Sequence, residues 1–178
     1  MKKILILFFL FMFVVGCNLS NTPSGKVEKY LNDFKNLTDD VVMDIETKVS
    51  SENLSEENKT LYKNIIVNEH ENLKYEIKEE SINGDKAIVV VKITVFDFHK
   101  IERESVDYMN AHPEEFSDIN GMIDNNLFNT FRLNKLNNVK DTVDYEISFY
   151  LSHKDGEWIL QNPDKPTIEK LNGFYNYN

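Results

Sequence analysis

Thr142-Val-Asp-Tyr-Glu-Ile-Ser-Phe-Tyr-Leu151 decides the fold. In an extended chain Val143, Tyr145, Ile147, Phe149 and Leu151 point one way, and Thr142, Asp144, Glu146, Ser148 and Tyr150 the other. A strict period of two means a strand with one face in a core and one in water. Asp155-Gly156 then supplies a tight turn, and Trp158-Ile-Leu160 returns beside the strand to close a hairpin. Pro163 and Pro166 end it, and a short helix is expected from Thr167 to Leu171.

A hairpin with an apolar face needs further strands, and a second hairpin lies upstream. Leu73, Tyr75 and Ile77 alternate with Lys74, Glu76 and Lys78 as far as Asn83-Gly84, a dipeptide suited to the positive φ angles of a type I′ turn. The return strand runs from Ala87 to Phe98. Its Ile88-Val-Val-Val91 run is apolar on both faces, which predicts a central place in the sheet. Residues 99–137 lose this alternation. Ile101, Ser105, Val106 and Met109, then Ile123, Leu127, Phe128, Phe131 and Leu136, fit helical turns with a loop around Pro113 and Gly121.

Helices also precede the first hairpin. Val27, Tyr30, Leu31, Phe34, Leu37, Val41, Val42 and Ile45 recur at helical spacing after a Ser24 cap, predicting one amphipathic helix with a break at Thr38. Ser55-Glu56-Glu57 starts a second helix of about four turns, with acidic residues in its first turn and Leu61, Tyr62, Ile65 and Ile66 on its apolar face. The expected fold class is α+β: N-terminal helices on a curved antiparallel sheet of two hairpins, with a helical insert between them.

This order of elements, with Lys154-Asp-Gly-Glu-Trp-Ile159 in the last turn, resembles the NTF2-like (cystatin-like) extracytoplasmic lipoproteins over about residues 25–171. The resemblance implies a sheet wrapped around the N-terminal helices. It does not specify a function, because that superfamily includes enzymes, ligand binders and members of unknown role.

The N-terminus states an address. Lys2 and Lys3 precede twelve apolar residues, Ile4 to Val15, too few to cross a hydrocarbon core that needs about 20. Val14-Val15-Gly16-Cys17 resembles the lipobox of bacterial lipoprotein precursors. That resemblance implies a diacylglyceryl group on Cys17 and cleavage before it by a signal peptidase that recognises Val14, Val15 and Gly16. A thiolate is the soft nucleophile that forms such a thioether, and two acyl chains hold a protein at a bilayer where one is marginal. The expected organisation is a signal peptide at 1–16, the lipidated Cys and a short tether at 17–24, and one α+β domain at 25–178. The tether would keep the domain within roughly 25 Å of the outer face of the cytoplasmic membrane.

From Cys17 onward the chain has 18 basic and 30 acidic residues, a net charge of −12 with His neutral. Such a domain is repelled by phosphate backbones and anionic head groups, so nucleic acid is excluded as a partner and the lipid must do the membrane holding. Cys17 is the single cysteine, which leaves the domain without a disulfide framework or a thiol nucleophile.

No catalytic set, metal site or cofactor is implied. The four His residues show no metal-ligand spacing, and His70, in Glu69-His70-Glu71 near a helix end, is expected to be solvated. Asp118-Ile-Asn-Gly121 with Asp124 fails the EF-hand pattern, since Phe116 and Leu127 occupy the ligand positions that Gly121 would define. An Asn-Gly turn is expected there instead. Tyr30, Tyr62 and Trp158 are the candidate pocket-lining residues. Two functions remain open: a lipid-anchored, non-enzymatic domain binding a protein, cell-wall or small-molecule ligand, and a small hydrolase or isomerase working on the concave face of the sheet.

Overall fold

Residues 21–177 are described by a computed structural model, so the leader, the lipobox and Cys17 lie outside the described residues. Three helices come first: α1 (Pro23–Lys35), α2 (Asp39–Ser51) and α3 (Glu56–Asn72). Strands β1 (Lys74–Asn83) and β2 (Lys86–Phe96) form the first hairpin. Helices α4 (Phe98–Ala111) and α5 (Asn125–Asn137), joined through a 3-10 turn at Pro113–Phe116, are the insert. Strands β3 (Thr142–Lys154) and β4 (Glu157–Leu160) and helix α6 (Lys165–Leu171) complete the chain. The fold is α+β, with one antiparallel sheet in the order β1-β2-β3-β4.

The predicted kink between α1 and α2 is a full break. Leu37 takes φ 53°, and the Thr38 amide donates to the Asp33 carbonyl at 3.2 Å, a six-to-one closure that ends α1 and lets Thr38 start α2. Helix α1 also begins earlier than Ser24. Thr22 is its N-cap, accepting from the Gly25 amide at 3.0 Å, and Pro23 takes the first turn, where a missing N–H costs nothing. Ser24 instead donates through its amide to the Glu80 carboxylate at 2.9 Å, fastening α1 to β1.

The first hairpin differs from its expected turn. Asn83 pairs with Lys86, so Gly84 and Asp85 are the central residues, and positive φ occurs only at Gly84, the pattern of a type II′ turn. In the second hairpin Asp155 (φ 53°) and Gly156 (φ 85°) are both positive, as in type I′. The β3 alternation holds: Ile147, Phe149 and Leu151 are buried, whereas Asp144, Glu146, Ser148 and Tyr150 are exposed. Strand β2 is central, yet its two faces differ, with Val89 and Val91 buried and Ile88, opposite Tyr150, exposed.

Two cores result. In one, Val27, Leu31 and Phe34 of α1 lie on the inner face of the sheet with Val89, Val91, Ile93, Ile147 and Phe149. In the other, Ile45 and Val49 of α2, Tyr62, Ile65 and Ile66 of α3, and Leu133 and Leu136 of α5 surround Phe98. Each fully buried aliphatic side chain contributes about 1.5–3 kcal/mol, so both cores are needed to hold the fold.

Helix α3 touches both. Its Glu69, 1 % exposed, accepts from the Phe96 amide at the end of β2 (3.1 and 3.3 Å). Its buried Asn58 donates to Asn126 at 3.1 Å and to Thr130 at 3.0 Å on α5.

Gly173 closes α6. At φ 72° it lets its own amide reach the Lys170 carbonyl and the Phe174 amide reach Glu169, and its carbonyl accepts from the His99 amide at 3.0 Å. A Cβ here would stand 2.2 Å from the Phe96 carbonyl oxygen. Gly173→Ala is therefore expected to destabilise the protein by at least about 2 kcal/mol in urea unfolding. Gly84→Ala, with open space around it, should cost only about 1 kcal/mol.

Candidate functional site

A largely apolar concavity with charged groups at its rim lies between helices. A cleft of about 490 Å³ opens among α1, α2, α3 and α6. Helix α1 contributes Tyr30, Asp33 and Phe34; α2 contributes Asp40, Val41, Asp44, Ile45 and Lys48. Ile66 and His70 of α3 form its floor, and Ile168 and Asn172 at the end of α6 close it. The cleft follows from the break at Leu37, which turns α2 away from α1 so that the two helices diverge from a shared corner.

His70 is 4 % exposed, against the expectation of a solvated residue, and its ring stacks on Phe34 with centroids 3.6 Å apart. Its Nε2 lies 3.3 Å from Asn172 Oδ1. The Asn172 amide nitrogen donates to the Ile168 carbonyl at 2.7 Å, which turns Oδ1 towards the ring. Asn172 Oδ1 thus stands where it can accept from an Nε2–H, while Nδ1 is shut off from solvent with no hydrogen-bond partner of normal geometry among the described residues. Burial lowers the His70 pKa to about 4, outweighing the pull of Asn172 and of the Phe34 carbonyl towards the charged form, so the ring is neutral at ordinary pH.

Charge sits on the rim. Asp33 is paired with Lys29, but Asp40 and Asp44 are exposed and make no ion pair among the described residues. Burial, then the Asp44 carboxylate, raises the pKa of the Tyr30 hydroxyl, keeping it protonated. Lys48 also lines the cleft, with its amine over the rings of Tyr62 and Phe174, 6.0 and 5.7 Å from their centroids, and burial lowers its pKa.

Of the candidate pocket-lining residues, Tyr30 lines the cleft. Tyr62 is buried in the helical core beneath it, where burial pushes its pKa up to about 12. Trp158 stands at the far end of the sheet, half-buried against the sheet core, with its ring centroid 4.9 Å from that of His153. Asn21 holds that corner, donating to the Gly156 carbonyl and accepting from the Trp158 amide.

Helix α1 packs directly onto the inner face of the sheet, and a second opening of about 390 Å³ flanks β3, between Ile147 and Phe149 on the strand and Pro163, Asp164 and Lys170 after β4. Asp118 forms a turn by accepting from the Asn120 and Met122 amides, and Asp124 caps α5, so both carboxylates already have backbone partners. His112, Glu114 and Glu115 come together on the surface, where Glu115 also accepts from Tyr108.

The burial of Glu69 and His70 had a signal in the sequence. Positions 62, 65, 66, 69 and 70 form one helical stripe, and its last two members happen to be polar.

Comparison with known proteins gives little more. No family model and no curated protein matches the chain. A crystal structure from Bacillus subtilis subsp. subtilis str. 168, of a "putative lipoprotein (ycdA)", is similar at 15% identity with a TM-score of 0.41. The match covers 88% of this chain and 51% of that one, so this chain spans about half the length of that protein. No helix among the described residues is long and apolar enough to cross a membrane.

Glu69 and His70 titrate in opposite senses. Burial raises Glu69 from 4.5 to about 8, against the pull of the Phe96 amide, so folding retains a proton that the unfolded chain loses, and stability falls as pH rises through this window. His70, lowered from 6.5 to about 4, favours the fold above this range, and that contribution is lost as pH falls through it. The two slopes oppose each other between about pH 4.5 and 6.5, leaving Glu69 alone above. Unfolding free energy should drop by roughly 1.5–2 kcal/mol from pH 6.5 to 8, and Glu69→Gln should remove that drop in denaturant titrations across this range.

Proposed function

We propose that this chain is a lipoprotein held at the outer face of a bacterial cytoplasmic membrane through Cys17, with a domain that binds a small organic molecule in the cleft between α1, α2, α3 and α6 and does not transform it. The cleft carries the reading. At about 490 Å³ it is within the range of small-molecule sites, and apolar walls with a few placed polar groups are what such sites need.

The same geometry disfavours the hydrolase or isomerase alternative. A general base at neutral pH needs a pKa near 7, whereas His70 is too weakly basic at about 4, and Glu69 is committed to the Phe96 amide. The inner face of the sheet, where such an enzyme would place its polar groups, is occupied by Val27, Leu31 and Phe34.

The anchor supports the binding role. The lipobox resemblance at Val14-Val15-Gly16-Cys17 and the acidic domain fit a protein that stays at the membrane through acyl chains and exposes its cleft to solutes outside the cell. Cys17→Ser is expected to abolish labelling by an alkynyl fatty acid and leave a precursor of uncleaved mass. Continued labelling would overturn the anchor.

The cleft is tested separately. Native mass spectrometry of the full chain taken from membranes should show a bound small molecule that Val41→Trp, which fills the cleft wall, removes. An identical mass profile for the two proteins would overturn the binding reading.

A further inference from the structure

We infer that the cleft selects an amphiphilic organic cation, an apolar body carrying an ammonium group. This rests on the cleft being a binding site and adds the chemistry of its ligand. The inner walls, Phe34, Val41, Ile45, Ile66 and Ile168, offer only hydrocarbon and one aromatic face to whatever enters. The body of the ligand is therefore apolar.

Three of the four charged residues that line the cleft are acidic, Asp33, Asp40 and Asp44 against Lys48. Asp40 and Asp44 stand one helical turn apart on α2, both exposed at the mouth and without an ion-pair partner among the described residues. Two unpaired carboxylates beside a low-dielectric wall attract a cation more strongly than the same pair on an open surface. Tyr30 adds an aromatic ring at the mouth, suited to an ammonium group.

The floor agrees with the rim. His70 in that floor is a neutral ring held against Asn172, its Nε2 3.3 Å from Oδ1, and so brings no positive charge to the cleft. An anionic ligand would meet Asp33, Asp40 and Asp44 with Lys48 as the one lining cation, and the Lys48 amine is turned to the rings of Tyr62 and Phe174. A carboxylate or phosphate is thus excluded by charge, and a neutral molecule leaves the rim without a partner.

The test uses the full lipidated chain in phosphatidylcholine nanodiscs, with empty nanodiscs as the blank. Isothermal titration compares hexyltrimethylammonium, 1-hexanol and hexanoate, which share a six-carbon body and differ in charge. The cation should bind tightest and hexanoate weakest. Asp40→Asn and Asp44→Asn should each weaken the cation by about tenfold while leaving 1-hexanol unchanged. Asp107→Asn, an exposed carboxylate on α4, should have no effect.

Equal binding of all three, abolished by Val41→Trp, would overturn the cation and leave the cleft as a binding site. If no probe binds and Val41→Trp changes nothing, both readings fall. Loss of cation binding in Asp107→Asn equal to that in Asp40→Asn would also overturn the proposal, because the attraction would then be the net charge of the domain and not its rim.

Discussion

The Glu69 carboxyl on the Phe96 amide is the contact on which the rest of the structure depends. Strand β2 ends there and α4 begins two residues later, so the chain passes from the sheet core to the helical core at one buried peptide group. A backbone N–H buried without an acceptor costs about 1–3 kcal/mol, and neither core supplies a strand partner for this one. Glu69 supplies it at the cost of burying a carboxyl, which the protein meets by keeping the proton. Helix α3 thereby fixes how far the sheet stands from α2 and α5, and with it the opening that α2 leaves over Phe34 and His70.

The same helix sets the character of the cleft. His70 follows Glu69 in the chain, and the phase that drives Glu69 under β2 drives His70 under Phe34. Stacking on Phe34 and the Asn172 contact hold the ring in one orientation. Rim and floor are thus built differently. The rim is made of exposed carboxylates that salt can screen, and the floor of a buried dipole that it cannot.

The C-terminal tail secures this arrangement. Gly173 crosses the Phe96 carbonyl at a distance that only a residue without Cβ permits, Phe174 packs on Phe98, and Tyr177 donates to Asp97 at the start of α4 at 2.8 Å. Asn172, whose Oδ1 meets the His70 ring, stands at the head of this tail. The cleft and the joint between the cores are therefore braced by one short segment.

The elements themselves were legible in the amino-acid sequence, because hydrophobic period is a local property. The alternation from Thr142 to Leu151, the Asx-Gly turns and the 3.6-residue stripes of α1 and α3 each follow from which face must leave water. The lipobox resemblance at Cys17 is equally local, being a pattern read along an extended chain. Tertiary structure decided what these local patterns meet. Leu37 carries no sequence mark of the left-handed conformation that splits α1 from α2, and the cleft exists only because of that split. His70, beside Glu69, reads as solvated since a His near a helix end normally is. Burying both residues required an orphaned amide from β2 and a side-chain amide from α6, groups 27 and 102 residues away in the chain. A local pattern states which face is buried, and only the assembled fold states what that face meets.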